Sequence, residues 1–186
     1  QVMDRTAWWD EEWLALPAQR DERAANRRWP LDVQIAGPLD LLQLKLHSRG
    51  WRTQPQADWV STLGLLDPKR PLARQPVLPA TLDAEAETLL MRRPGPSPGT
   101  LHVLRIWRAP VLLEDEQPLW VGTTQTLRFE RPIRGFGLWV PEPHGDAARE
   151  RLRADLEGLP MAESERPRNG PKVLRIRSDI VEPRVE

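Results

Sequence analysis

Three histidines are the side chains of this chain that titrate near neutral pH, so each is a candidate acid, base or metal ligand. His47 lies near the end of a predicted helix, where a cation interacts favourably with the helix dipole. His144 comes directly before a predicted helix start, in a segment typical of a turn. His102 lies on a predicted strand and could face a cleft. The spacing favours structural roles for all three histidines, since a single histidine on a strand is more often a core or surface residue. His102 is kept as a candidate for a ligand surface.

Arginine is the second informative residue type, with 24 arginines against three lysines. Guanidinium groups bind phosphate and carboxylate through paired hydrogen bonds. Arg105 and Arg108 share a predicted strand with His102. A hydrolase or transferase site for a phosphorylated or lipid-like substrate would use these three residues. Strand alternation places Arg105 on the face opposite His102 and Arg108, which weakens that hypothesis.

Established catalytic signatures are missing from the sequence. It contains no phosphate-binding loop, no dinucleotide fingerprint and no zinc-binding helix. Ser97 stands between two glycines, but its spacing differs from the Gly-x-Ser-x-Gly nucleophile motif. The chain has no cysteine, which removes disulfides, thiolate chemistry and cysteine metal sites. We therefore predict no catalytic residue, no cofactor and no metal site.

Length and charge narrow the class of protein further. A chain of 186 residues suits one ordinary domain with a hydrophobic core. The 27 basic and 27 acidic residues give zero net charge, so no global field favours nucleic acid. No window approaches the roughly 18 apolar residues of a membrane span, which indicates a soluble chain. Because the chain starts at Gln1 without an initiator methionine, we expect it to be cut from a longer protein or processed.

The first 28 residues differ from the rest in composition. Residues 4–16 carry Trp9 and Trp13 at helical spacing, with acidic residues on the other side, which predicts a short amphipathic helix. The charged run 19–28 predicts a linker. We expect an entry helix and linker over 1–28 and a compact domain over 29–186. The aromatic side of the helix would contact a membrane, a neighbouring domain or a second copy of the chain; folding back onto the domain is the alternative.

The compact domain is predicted to open with a strand, a turn and a capped helix over 29–51. Leu31, Val33 and Ile35 alternate with polar or small residues, the period of a half-buried strand. Pro38 suits the first helical position, and Gly50 suits the left-handed position after the helix. Six further tryptophans belong to predicted elements or their edges and are expected in the core: Trp29, Trp51, Trp59, Trp107, Trp120 and Trp139.

The remaining pattern predicts an α+β fold. We expect a mainly antiparallel sheet of about five or six strands with two or three helices packed on it, because sequential strands follow one another without helical crossovers. The predicted elements are a helix at 58–66, an extended segment at 68–79, strands at 88–93 and 100–108 joined as a hairpin, strands at 119–129 and 135–140, a helix at 146–156 and a strand at 172–180.

Four blocks of this sequence, in order, resemble the bacterial LssY C-terminal domain family: residues 30–39, 50–51, 103–107 and 118–123. The family's domain commonly follows membrane regions similar to type 2 phosphatidic acid phosphatases, and sometimes DedA-like transporters. The resemblance therefore implies a partner in the membrane-spanning region of a parent protein. It also implies membrane association through that parent, with this domain exposed to water, which we place on the cytoplasmic side.

The phosphatase signatures themselves are absent from this chain. Lys69 to Pro71 lacks the spacing of the first signature, and Pro96 to Gly99 lacks the histidine of the second. The resemblance thus carries over no catalytic residue. Our leading hypothesis is a non-catalytic accessory domain with a binding, regulatory or assembly role and a lipid or phosphate ligand. The alternatives are the hydrolase site described above and an interaction module that dimerises through Trp9 and Trp13.

Overall fold

The structure, a computed structural model, describes residues 1–22, 26–55, 69–133 and 136–179. It contains three α-helices within these ranges: α1 (Arg5–Asp10), α2 (Asp40–His47) and α3 (Ala147–Asp155). Single 3-10 turns cover Glu12–Ala15 and Leu72–Arg74. The predicted helix at 58–66, with Trp59, lies outside the described residues. None of the helices in the described ranges has the length and apolarity that crossing a membrane requires.

Thirteen β-strands are described, several of them only two residues long. They are β1 (Val2–Met3), β2 (Gln19–Glu22), β3 (Arg27–Pro30), β4 (Val33–Ala36), β5 (Arg52–Thr53), β6 (Thr81–Leu82), β7 (Glu85–Ala86), β8 (Leu89–Pro94), β9 (Thr100–Leu113), β10 (Pro118–Ile133), β11 (Phe136–Pro141), β12 (Met161–Glu165) and β13 (Lys172–Arg177).

One nine-stranded mixed sheet organises the molecule, in the order β12-β13-β4-β10-β9-β8-β5, with β1 beside β9 and β11 beside β10. The long strands β9 and β10 form its centre as an antiparallel pair. On the edge that faces away from β9, strand β10 pairs first with β4 over 119–122 and then with β11 over 127–133. Two further pairings, β13 with β4 and β1 with β9, are parallel.

The α+β class is confirmed, and six of the eight pairings described in the large sheet are antiparallel, as expected. The sheet is nevertheless mixed, because two pairings are parallel, and it has nine strands instead of the expected five or six. The long strands β9 and β10 are each long enough to pair with two shorter strands along one edge, which raises the strand number. The chain also returns to β4 through α3 and β12, and a long connection of this kind permits parallel pairing. The predicted hairpin between β8 and β9 is confirmed.

The sheet is buried on both faces. Leu104 and Ile106 of β9 lie in a cluster with buried leucines of α2 and α3. Trp107 and Ala109 of the same strand lie in a second cluster with Trp8 and other residues of the N-terminal segment. Five of the predicted core tryptophans are confirmed as buried: Trp29, Trp51, Trp107, Trp120 and Trp139.

The predicted linker over 19–28 is wrong, because β2 and β3 form an antiparallel hairpin there, with Arg20 opposite Trp29. Charged residues can be buried in this hairpin because Arg20 Nη1 donates to Glu22 Oε2 at 2.9 Å. The preceding segment is also shorter in helix than predicted, with α1 followed by a 3-10 turn. The division of the chain at residue 28 stays a prediction.

The turn geometry around α2 partly follows the prediction. Gly50 has φ +92° in the turn after α2, the left-handed conformation expected for it. Pro38 does not occupy the first helical position, since α2 begins at Asp40 with Leu39 as its N-cap. The start is displaced because Gly37, with φ +111°, still belongs to the tight turn that follows β4.

Candidate functional site

Five arginines line a cavity of about 540 Å³ beside the short β5–β8 edge of the sheet. We call it the arginine cleft. Its arginines are Arg52, Arg70, Arg74, Arg92 and Arg93. The other described lining residues are small, apolar or neutral: Gly50, Thr53, Gln54, Pro55, Ala73, Pro76, Pro94 and Leu101. No carboxylate belongs to this described lining, although the chain as a whole is electrically neutral.

Arg92 lines the cleft and is half-buried. Its Nη1 donates to the Gln75 carbonyl at 2.5 Å, and its guanidinium carbon lies 5.6 Å from the centre of the Trp139 ring. Burial lowers the pKa of Arg92 to about 10. This side chain therefore holds the 72–75 segment against β8, and its charge also contributes to the positive potential of the cleft.

Arg93 is held by a buried carboxylate beside the cleft. Its Nη1 donates to Asp155 Oδ2 at 2.7 Å, and the same oxygen accepts from the Trp51 indole at 2.8 Å. Arg151 also donates to Asp155, at 2.9 Å. Burial opposes ionisation of this carboxyl, but the hydrogen bonds from Trp51, Arg93 and Arg151 hold the pKa of Asp155 below its ordinary value.

The remaining arginines of the cleft present their donors more openly. Arg52 is exposed, and its Nη1 donates to the carbonyls of His47 and Trp51. Arg74 is exposed and Arg70 is half-buried, and neither forms an ion pair with another described residue. Guanidinium groups in such positions bind phosphate or carboxylate oxygens bidentately. The cleft can thus hold an anionic group next to an apolar wall.

The predicted trio of His102, Arg105 and Arg108 does not converge on one site. His102 is buried with its Nδ1 3.1 Å from Thr126 Oγ1, and burial, with nearby positive charge, lowers its pKa. Arg105 lies on the other face of the strand, where its Nε donates to Gln125 Oε1 at 3.0 Å. Arg108 is exposed. The sheet therefore separates the side chains that the hydrolase hypothesis would combine.

The other sequence candidates lie apart from the cleft or at its rim. Trp13 is buried, and Arg175 lies 4.8 Å from its ring centre, whereas Trp9 is half-buried. Of the pair predicted to contact a partner or a membrane, Trp9 is thus the more accessible. Dimerisation through this segment stays a prediction. His47 Nε2 lies 3.0 Å from Oγ1 of Thr53, a residue of the cleft.

A buried ionic cluster that sequence reasoning missed joins β4, β10 and α3. Asp32 is fully buried and accepts hydrogen bonds from the Thr124 amide at 2.8 Å and the Thr124 hydroxyl at 2.6 Å. Arg149 Nη1 lies 3.5 Å from Asp32 Oδ2, and His144 Nε2 lies 3.8 Å from the same oxygen. Asp32 and Arg149 are 117 positions apart, so no local spacing could have paired them.

In the described part of the chain, no group of three or more histidines and carboxylates is placed to hold a metal ion. The arginine cleft was also missed by sequence reasoning, because its arginines come from three separate segments. A local signal existed in the adjacent pair Arg92 and Arg93 at the end of a predicted strand. The full group of arginines comes together only when β8 pairs with β5 in the folded chain.

Together, the fold and the cleft define an α+β domain with five arginines around one cavity and no carboxylate in the described lining of that cavity. Residues 13–170 match the LssY C-terminus family, which is most of the chain. The protein belongs to that family. Neither the curated proteins nor the solved structures compared with this chain include a match.

Proposed function

We propose that this chain is a water-exposed accessory domain of a bacterial membrane protein related to lipid-phosphate phosphatases, and that it binds a phosphate-bearing, lipid-like ligand in the arginine cleft. The observation that carries the proposal is the placement of five arginines around one cavity without a carboxylate in its described lining. Because the chain as a whole has zero net charge, this concentration of positive charge is local to the cleft. Such a cavity focuses the field and attracts anions.

The lining also supports an amphiphilic ligand over a purely polar one. Pro55, Pro76, Pro94 and Leu101 supply an apolar wall beside the guanidinium groups. A phosphate group would bind the accessible donors of Arg52, Arg70 and Arg74. The first carbons of an attached chain would then cover the apolar wall and be removed from water.

Binding rather than turnover is proposed because the described lining offers hydrogen-bond donors but neither a histidine nor a carboxylate to move a proton. The parent protein's membrane region would supply any chemistry on the ligand. A simple test of this part of the proposal is an assay of the purified chain with a generic phosphomonoester and a generic ester. Steady turnover that disappears in His102→Ala would favour the hydrolase alternative and contradict our proposal.

The binding test uses isothermal titration calorimetry with dihexanoyl phosphatidic acid, dihexanoyl phosphatidylcholine and inorganic phosphate. We expect phosphatidic acid to bind most tightly, because it combines an exposed phosphate with apolar chains. The variant Arg70→Gln/Arg74→Gln should weaken this binding at least about tenfold, the effect of losing charge-assisted hydrogen bonds. Arg168→Gln, an exposed arginine outside the cleft lining, is the matched control and should bind as the wild type does.

Two results would refute the proposed function. One is the absence of phosphatidic acid binding to the folded wild-type chain at low salt. The other is equal binding by the wild type, the double variant and the control, which would place any bound ligand elsewhere. Added salt should also weaken binding, since screening reduces the attraction between exposed charges.

A further inference from the structure

A second cavity, of about 220 Å³, lies between β2, β9, β10 and the 77–81 segment. Four of its lining side chains are polar and at least nine-tenths buried: Arg20, Glu22, Arg105 and Gln125. We call it the quartet cavity. It shares no lining residue with the arginine cleft. An inference about it is therefore independent of the proposed function.

The four polar side chains form one continuous hydrogen-bonded chain. Arg20 Nη1 donates to Glu22 Oε2 at 2.9 Å, and Gln125 Nε2 donates to the same oxygen at 3.0 Å. Arg105 Nε donates to Gln125 Oε1 at 3.0 Å, and Arg105 Nη1 lies 3.6 Å from Glu87 Oε1. These contacts fix the orientation of each group, so the polar side of the cavity is preorganised.

One donor in this arrangement has no acceptor. Arg20 Nε is buried and has no hydrogen-bond partner among the described residues, and Arg20 as a whole is only 4% exposed. Burial lowers the pKa of Arg20, and Glu22 opposes that effect. A buried donor without an acceptor is costly, so native proteins rarely keep one without a bound water or ligand. Because Arg20 lines the cavity, an acceptor bound there would satisfy this donor.

The other side of the cavity is apolar and aromatic. Val77, Leu127, Trp139 and Pro141 form this wall. Charge on the polar side is balanced, because Arg20 is paired with Glu22 and Arg105 lies 3.6 Å from Glu87, a buried carboxylate outside the lining. A ligand with a net positive or negative charge would leave an uncompensated charge in this buried site, whereas a zwitterion would keep the charges balanced.

We propose that the quartet cavity binds a compact zwitterion with an apolar side group, of the α-amino acid class. Its carboxylate accepts from Arg20 Nε, its ammonium group faces the carboxylate of Glu22, and its side group packs on the apolar wall. The volume of the cavity lies below the range of about 300–1,000 Å³ that is typical of drug-sized ligands, which restricts the occupant to a small molecule.

The test follows the tryptophan indole resonances of the wild-type chain by nuclear magnetic resonance during three titrations. The probes are leucine, isovalerate and isopentylamine, which share an aliphatic group and differ in charge. Leucine should shift the Trp139 indole saturably, since Trp139 lines the cavity. The Trp51 indole, which is bonded to Asp155 away from the cavity, should not move. Isovalerate and isopentylamine should each bind at least about tenfold more weakly than leucine.

Variants then place the ligand in the cavity. Arg20→Gln should weaken leucine binding at least about tenfold, and Arg28→Gln, an exposed arginine on the same hairpin, should leave it unchanged. If Arg20→Gln does not fold, the wild-type titrations decide alone. Absence of a saturable Trp139 shift with leucine, or equal binding of leucine and isovalerate, would overturn the inference. Equal leucine binding by a folded Arg20→Gln variant would do so too.

Discussion

Replacing Arg149 by methionine should strongly destabilise the chain. Arg149 is 1% exposed and is bonded to Asp146 Oδ1 at 2.6 Å, with Asp32 Oδ2 at 3.5 Å and Glu163 Oε2 at 3.6 Å. Burial opposes its charge, but the Asp146 hydrogen bond and the carboxylates of Asp32 and Glu163 together raise the pKa of Arg149 above its ordinary value. Methionine would keep most of the volume and remove the charge.

The magnitude follows from what Arg149→Met leaves behind. Asp32 would stay fully buried, with its two hydrogen bonds from Thr124 but without a cation at 3.5 Å. Removing one partner of a buried ion pair costs about 3–5 kcal/mol, mostly because the other charge stays buried. For a chain of this size, that loss lowers the melting temperature by about 6–20 °C.

Urea unfolding followed by tryptophan fluorescence, together with a thermal melt, measures this loss. The matched control is Arg153→Met on the same helix, where the side chain is 55% exposed and lies 3.7 Å from Glu163; it should cost less than about 1 kcal/mol. Adding Asp32→Asn to Arg149→Met should recover at least about 1 kcal/mol, because the uncompensated charge is then gone. A loss below about 1 kcal/mol for Arg149→Met would refute this reasoning.

Two further stability predictions concern single positions. Gly37→Ala should lower the free energy of unfolding in urea by more than about 2 kcal/mol, because a Cβ there lies within 3 Å of Ser178 and Asp179. Gly50→Ala has open space around it and should lower it by about 1 kcal/mol, from its positive φ alone. Equal losses for the two variants would contradict the contact argument. Asp155→Asn should destabilise the chain at about pH 7, and the difference from wild type should shrink as pH falls below about 4 through the lowered pKa of Asp155. A difference that stays constant as the pH is lowered would show that the carboxylate charge does not contribute.

Several elements of this fold could be predicted from the sequence because each depends only on residues that are close together in the chain. Alternation in β4, the turn before β9 and the capping glycine at position 50 each depend on a few neighbouring residues. The family resemblance also depends on short blocks and agrees with the match over 13–170. These features could be predicted because a strand or turn has its own sequence period.

The hairpin β2–β3 could not be predicted in the same way. Its residues are charged, and their burial depends on partners from distant strands, such as Gln125 on β10 bonded to Glu22. Hydrophobic periodicity treats charged residues as exposed, so a segment whose charged residues are buried in ion pairs is predicted as a linker. The parallel pairing of β13 with β4 is similarly non-local.

The candidate sites show the same limit. Strand alternation correctly places Arg105 away from His102, yet it does not reveal that Arg105 belongs to a buried chain of charges. The arginine cleft needs Arg52 and Arg92 to meet across β5 and β8. Both sites are products of tertiary contacts, which local sequence patterns do not reveal.

A crystal structure of the chain with dihexanoyl phosphatidic acid would show directly where this ligand binds. We expect its phosphate group in the arginine cleft, within hydrogen-bond distance of Arg52, Arg70 or Arg74, and an acyl chain against Leu101. A ligand bound at full occupancy outside the cleft, with the cleft open and empty, would contradict the account.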